Sequence, residues 1–380
     1  MLTNQLVARF KMCPSLQFVL TTTHFERRSV MFPIVAETYQ YVVGVDTHAR
    51  KHVATVVNNL GVVIATRTVH VTAKQMQQFA NWVVKITDGN VLFAVEGTSS
   101  YGETLTKLLL ERQLQVIEVK PPKAKSRGGD GKTDQIDSEL AALSVLRQPI
   151  DRLCTPRLGD TRRSLRIVLG ARRQLVGQQV ASKNALMALL RGIALDVDAR
   201  KPLSQATYKT ISLWHIQGSS TEVQMIARIE AKRIAGDVTR TQARLEQNKQ
   251  TLISLVGSLA PQLLAEPGIG PVTLAQVICS YSHKGRVHSP EAFVALAGTA
   301  PIPASSGNTK HYRLNRYGDR QLNHAFDTIV LARMRSDEQT KRYIAKRTAS
   351  GLSKRDIKRS LKRYVARSLF KQLENCDITA

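Results

Sequence analysis

Two short apolar runs, each closed by an acid, constrain this chain more than any other feature. Tyr41-Val-Val-Gly-Val-Asp46 reads as a buried strand, and so does Val91-Leu-Phe-Ala-Val95 with Glu96 directly after it. Between them, His52 to Val57 and Val62 to Val69 read as two more strands, joined by the turn Asn58-Asn59-Leu60-Gly61. Ala73 to Ile86 has helical spacing, with Met76, Phe79, Trp82, Val83 and Ile86 on one side. Tyr101 to Glu111 reads as a helix, Val116 to Val119 as a fifth strand and Thr133 to Arg147 as a helix. The order β-β-β-α-β-α-β-α predicts an α/β ribonuclease H-like domain over residues 41–150. In that fold the first and fourth strands run side by side and parallel, so Asp46 and Glu96 meet. Asp134 and Asp137, three apart, share one helix face.

Four carboxylates converging from separate elements suit phosphodiester chemistry. Paired divalent ions need several acids around them, and magnesium, the expected ion, prefers oxygen ligands; manganese is the alternative. Each acid also has a plainer reading. Asp46 sits where turn residues sit, and Asp134 and Asp137 suit the first turn of any helix.

Beyond residue 150 the pattern becomes helical. Residues 158–260 read as long helices, and Val238, Leu245, Leu252 and Leu259 recur every seven residues, as in a coiled-coil seam. The helix from about Leu165 carries Arg162, Arg163, Arg166, Arg172, Arg173, Lys183 and Arg191 along or beside it. Glu266-Pro-Gly-Ile-Gly-Pro271 opens a third block and resembles the hairpin of helix-hairpin-helix modules. This mainly helical block runs over 261–345. It holds a loop of small and polar residues in which Ser305 and Ser306 precede Gly307, with Lys310, His311, Arg313 and Arg316 close behind. Such a turn can expose a hydroxyl among cations suited to a phosphate; the plainer reading is a simple turn. Residues 346–380 read as a basic tail, most of it an amphipathic basic helix suited to lie on a nucleic-acid backbone, and residues 1–40 as an extension without order.

Charge narrows the partners. Lys and Arg number 55 against 29 Asp and Glu, a formal charge of +26. That excess suits a nucleic acid, whose counterions each basic contact releases. No apolar run reaches the roughly 18 residues of a membrane span. Cys13, Cys154, Cys279 and Cys376 are scattered without a CxxC pair, which argues against structural zinc and fits a reducing cytoplasm.

The motifs Gly44-Val-Asp-Thr-His48, Val95-Glu-Gly-Thr98, Lys132-Thr-Asp-Gln-Ile-Asp137, Pro267-Gly-Ile-Gly270, Leu296-Ala-Gly-Thr-Ala-Pro301, Ser305-Ser-Gly307 and Tyr317-Gly-Asp319 stand in one ordered series. Over about residues 41–345 that series resembles the DEDD-type transposases of bacterial insertion sequences, described as bridge-RNA-guided recombinases. The resemblance implies a RuvC-like metal domain bearing Asp46, Glu96, Asp134 and Asp137, then a coiled-coil region. A transposase domain with Ser306 at the nucleophile position follows, Ser305 being its neighbour in register. It also implies DNA element ends and a DNA target, a guide RNA, a homodimer or homotetramer, and a bacterial, nucleoid-associated location. Two departures stand out, Gly298-Thr-Ala-Pro301 before the serine and His311-Tyr-Arg313 after it. The expected function is cleavage and rejoining of DNA strands to excise and insert an element. The alternatives are a metal-only junction-resolving nuclease and a non-catalytic nucleic-acid-binding protein.

Overall fold

The computed structural model describes residues 32–121, 133–157, 159–216, 221–304, 312–315, 317–376 and 378. After a one-turn helix α1 (Val35–Thr38), the chain lays down β1 (Tyr41–Thr47), β2 (Lys51–Asn58), β3 (Val63–His70), α2 (Ala73–Thr87), β4 (Val91–Glu96), α3 (Glu103–Glu111), β5 (Gln115–Val119) and α4 (Asp134–Leu146). The five strands form one sheet in the order β3-β2-β1-β4-β5. β1 runs antiparallel to β2 and parallel to β4, and β5 continues parallel beyond β4. The uniformly apolar central strands are explained by helices on both faces. Val43, Val45, Phe93 and Val95 pack with Phe79 of α2 and Leu105 of α3. Val42, Leu92, Ala94 and Ile117 pack on the other face with Ala141, Ala142 and Val145 of α4.

α4 lies unusually close to the sheet, and Gly44 is the reason. A Cβ built there would stand 2.0 Å from the Ser138 carbonyl oxygen and 2.5 Å from the Ala142 nitrogen. Beside it, Thr55 pairs with Gly44 across the β1–β2 ladder, and its hydroxyl meets the Ser138 hydroxyl at 2.7 Å. Small and hydroxyl-bearing residues thus let a helix backbone rest on a strand backbone. The expectation of a disordered extension through residue 40 is corrected here for its last residues. Val35 is fully buried against this layer, and Ile34 bridges Pro149. Residues 1–31 lie outside the described residues.

Two long helices follow, α5 (Asp160–Gly192) and α7 (Glu222–Leu259), with α6 (Gln205–Ser212) between them. They pack along each other within the chain. Val238 and Leu252 are fully buried, and Leu245 nearly so. At one end, Ala231, Ala235 and Val238 close a core with Leu186, Tyr208 and Ile211. At the other, Leu252 and Val256 join Leu165 and Leu169 in the C-terminal core. The seven-residue stripe is therefore covered by this chain itself.

That C-terminal core is built by α8 (Pro261–Leu264), α9 (Pro271–Tyr281), α10 (Pro290–Leu296), α11 (Arg320–Ser336), α12 (Glu338–Ala349) and α13 (Lys354–Glu374), with a small hairpin of β6 (Pro301–Pro303) and β7 (Tyr312–Leu314). The Pro267-Gly-Ile-Gly270 segment packs on α11: Gly268 has φ +74° and no room for a Cβ beside the Ile329 carbonyl. The segment expected as a basic tail is a wall of this core instead. Ile357, Leu361, Val365, Leu369, Phe370 and Leu373 turn inward from α13, while Lys358 and Lys362 pair with Asp327. Helical apolar spacing among so many cations was the signal for a core-facing helix.

The Gly44→Ala chain is expected to be less stable by about 1–3 kcal/mol or more, the range for overpacking a tight contact. Urea unfolding of the full chain measures this; an unchanged midpoint would mean that α4 does not need the close approach.

Candidate active site

β1 and β4 end at the same edge of the sheet, where parallel strands commonly deliver ligand-binding groups. Asp46 and Glu96 follow the paired residues Val45 and Val95 and extend the face that Gly44 and Ala94 present to α4. The Thr47 hydroxyl donates to the Glu96 carbonyl at 3.0 Å and ties the two strand ends together. α4 starts at that edge. Thr133 caps it by accepting from the Ile136 N–H, and Asp134 and Asp137 fill the first turn, where the helix dipole favours acids. Asp46, Glu96 and Asp137 are buried, with 5–8 % of each exposed; Asp134 is half-exposed.

One residue joins this group that the acid pattern did not single out. His48, just past β1, brings Nε2 to 3.1 Å from Asp46 and 3.5 Å from Asp134. Carboxylate oxygens of Asp46 and Asp134 and the His48 ring nitrogen all lie within 4.8 Å of one another. Lys51 at the start of β2 adds an ion pair to Asp134 at 3.3 Å. The available signal was the spacing Asp46-Thr-His48, which returns a side chain to the same side two residues on. Burial pushes the Asp46 carboxyl above its ordinary range; His48 opposes the shift, while Asp134 and Asp137 reinforce it. Such crowding of negative charge is what a divalent cation relieves. The donors, mostly carboxylate oxygens, fit a hard divalent ion.

The C-terminal motifs surround a second feature. Gly298, with φ +64°, and Gly318 meet backbone to backbone: a Cβ on Gly318 would stand 2.3 Å from the Gly298 nitrogen. Asp319 donates its N–H to the Leu296 carbonyl at 2.7 Å and caps α11 through its carboxylate. These contacts hold the β6–β7 hairpin at its base, with Pro301 opposite Leu314 and Pro303 opposite Tyr312. Ser305, Ser306, Lys310 and His311, in the hairpin's connection, lie outside the described residues, as does Arg316. Arg313 on β7 lines a groove of about 620 Å³ with Asn323, Arg359, Lys362 and Arg363. This basic wall comes mostly from α13.

With this geometry in view, two family profiles match the chain. One, of the DEDD IS110 type and described as a transposase, covers residues 43–195. The other, described as transposase IS116/IS110/IS902 family, covers residues 260–345. A similar curated protein is the insertion element IS116 uncharacterized 44.8 kDa protein of Streptomyces clavuligerus, 26 % identical over 273 residues. The match takes in 59 % of this chain and 66 % of that protein, so the chain spans just under two thirds of its relative.

A buried ion network links the two matched regions. Glu118 at the end of β5 accepts from Arg157 through a close double contact, from Arg286 at 3.1 Å and from the Thr98 hydroxyl at 2.9 Å. Arg286, on the loop between α9 and α10, also reaches the Thr155 carbonyl. Burial alone would raise the Glu118 carboxyl, but the two guanidinium groups outweigh it and hold it below the usual carboxylate range. A depressed carboxylate adds stability above its unfolded pKa of about 4.3, and that stability disappears as pH falls through the lower folded value. Glu118→Gln should therefore cost of the order of 3 kcal/mol at neutral pH, the low end for a broken buried pair because Arg157 is partly exposed. The deficit should shrink below about pH 4. Unfolding midpoints of both proteins across pH measure it; a pH-independent difference would remove the ion network as its cause.

Proposed function

Because this chain belongs to the insertion-sequence transposase family of the IS116/IS110/IS902 type, we propose that it cleaves and rejoins DNA with a carboxylate-held magnesium site and a serine nucleophile. The convergence of Asp46, His48 and Asp134 within 4.8 Å carries the first half of this reading. Glu96 and Asp137, buried at the same edge, would complete the ligand set. Sheet order and strand directions support a ribonuclease H-like, RuvC-like domain. A bound divalent cation would supply Lewis-acid polarisation of the scissile phosphodiester. His48 and Lys51 would hold Asp134 in place and balance its charge between turnovers. Manganese would serve in place of magnesium.

Ser306 would carry the second half. Its Oγ forms a bond to phosphorus as the bond to the departing strand oxygen breaks. The serine proton leaves to solvent, and the departing oxygen takes one up. The phosphoserine keeps the phosphodiester energy for rejoining. Family membership supports DNA as the partner; a guide RNA and a dimer or tetramer come from the resemblance. An oligomer would use surfaces other than the α7 stripe, which α5 and α6 already cover. In the metal-only alternative the acids act alone and Ser306 is structural.

Asp46→Asn and Asp137→Asn should each abolish strand cleavage while DNA binding persists. Ser306→Ala should remove a denaturation-resistant protein–DNA adduct. Strand exchange by the Ser306→Ala protein at the wild-type rate would sink the serine half alone, and cleavage by the Asp variants would sink the acid half. DNA affinity should also fall with salt, with a log–log slope of roughly −0.9 per neutralised duplex phosphate, read by fluorescence anisotropy. A flat slope would count against the basic faces as the contact surface.

A further inference from the structure

α5 opens with a cluster of arginines that the site above does not use. Arg162, Arg166 and Arg173 lie on one side of the helix at spacings of four and seven. Arg162 is 7 % exposed, and its Nε donates to the Cys279 carbonyl at 3.2 Å. Among the described residues, no carboxylate pairs with any of the three. Arg166 reaches the carbonyl and hydroxyl of Ser99, in the loop that leaves Glu96. Arg157 is close by but is held by Glu118. The nearest acid on the far wall, Asp319, has both oxygens taken by Ser280 and by the first N–H groups of α11.

A guanidinium buried in this way without a counter-anion is costly. The cost registers on Arg162, whose pKa is pushed down to about 10 by burial and then by Arg157, Arg166 and Arg286. The cations surround open space. A cavity of about 200 Å³ is lined by Arg162, Arg166 and Arg173 on one wall and by Ser280, Leu296 and Asp319 on the other. A separate, much smaller pocket that shares Arg157, Arg162 and Arg166 with it is lined by Ser99, Glu103, Lys107 and Asp160. One end therefore abuts the loop after Glu96, and the other the stem of the β6–β7 hairpin.

We propose that this cleft is a phosphate clamp, in which Arg162, Arg166 and Arg173 grip the backbone of one DNA strand running between the acid cluster and the serine hairpin. This rests on the transposase reading of those two centres. A forked guanidinium suits phosphate oxygens, and the small cleft admits a single strand rather than a duplex. A strand bound there supplies the negative charge that Arg162 lacks.

The test uses the full chain in EDTA, so that binding is read without cleavage. A fluorescent single-stranded DNA of mixed sequence is titrated against wild type, Arg166→Gln/Arg173→Gln and a control, Lys232→Gln/Lys249→Gln, of equal charge. The two arginines are exposed enough for the protein to fold; Arg162→Gln is a further variant, admitted after circular dichroism matches wild type. The arginine pair should bind about tenfold more weakly, with a salt slope shallower by about 1.4, the loss of two single-strand phosphate contacts. Equal loss in the control would overturn the clamp, leaving a general charge effect. So would unchanged DNA binding with inorganic phosphate protecting the wild type, but not the arginine pair, against thermal unfolding, which would mark a free-anion site. With magnesium added, the arginine pair should regain cleavage at saturating DNA, whereas Asp46→Asn should not. Failure of the clamp and failure of the acid site are thus separable.

Discussion

The close contact between α4 and β1 is the constraint on which the candidate site depends. Asp134 and Asp137 belong to a helix that follows the sheet in sequence and carries no strand register to align it. Their position is set by how deeply α4 can settle. Gly44 allows the Ser138 carbonyl and the Ala142 nitrogen to occupy the space a side chain would fill, and Thr55 secures Ser138 from the next strand. The acids of β1 and β4 need no such device. Parallel pairing puts their strand ends side by side, and the Thr47 hydroxyl fastens them. Backbone geometry therefore gathers buried negative charge at one edge, and the Asp46 carboxyl is raised first by that burial and further by Asp134 and Asp137.

Positive charge is arranged by the opposite logic. Many cations of this +26 chain sit on helix faces, paired within a turn or two, as Arg233 and Arg240 are with Asp237. Such exposed pairs contribute little to stability. The unpaired arginines of α5 face the cleft between the two matched regions, and the basic side of α13 faces the groove beside the hairpin. Glu118, drawing Arg157 and Arg286 together, joins the sheet to the α9–α10 loop and so fixes the walls of that cleft. The arginine-rich seam is thus divided: one part is neutralised inside the protein, and the other has no carboxylate partner among the described residues.

Much of this was legible in the sequence, for identifiable reasons. Strands buried on both faces write themselves as unbroken apolar runs, so β1 and β4 and their terminal acids could be read directly. Helical spacing revealed α2, α4, α5 and α7. The stripe on α7 was visible, but a stripe does not name its partner; only the structure gives it to α5 and α6 of the same chain. His48 was hard to single out because its two-residue spacing from Asp46 is common to any strand end, and its role depends on a helix more than eighty residues away. The helical character of α13 was visible among its cations, but not that its apolar face closes the C-terminal core. The connection holding Ser306 lies outside the described residues, so the serine rests on motif order alone.

The acid edge and the hairpin stem share one construction principle. Gly44 lets a helix backbone meet a strand, and Gly298 with Gly318 lets the two ends of the hairpin stem meet each other. None of these glycines can touch a phosphate or a metal as a ligand side chain would, yet Gly44 stands two residues before Asp46, an acid proposed to hold the metal. Close backbone packing leaves few alternative arrangements, because a shift of one ångström meets main chain rather than a side chain able to rotate aside. Placement of the acids at the sheet edge is therefore inherited in part from a contact with no side chain at all. By this argument Gly44 matters as much as the acid two residues on: it sets how deeply α4 rests, and with it where Asp134 and Asp137 stand.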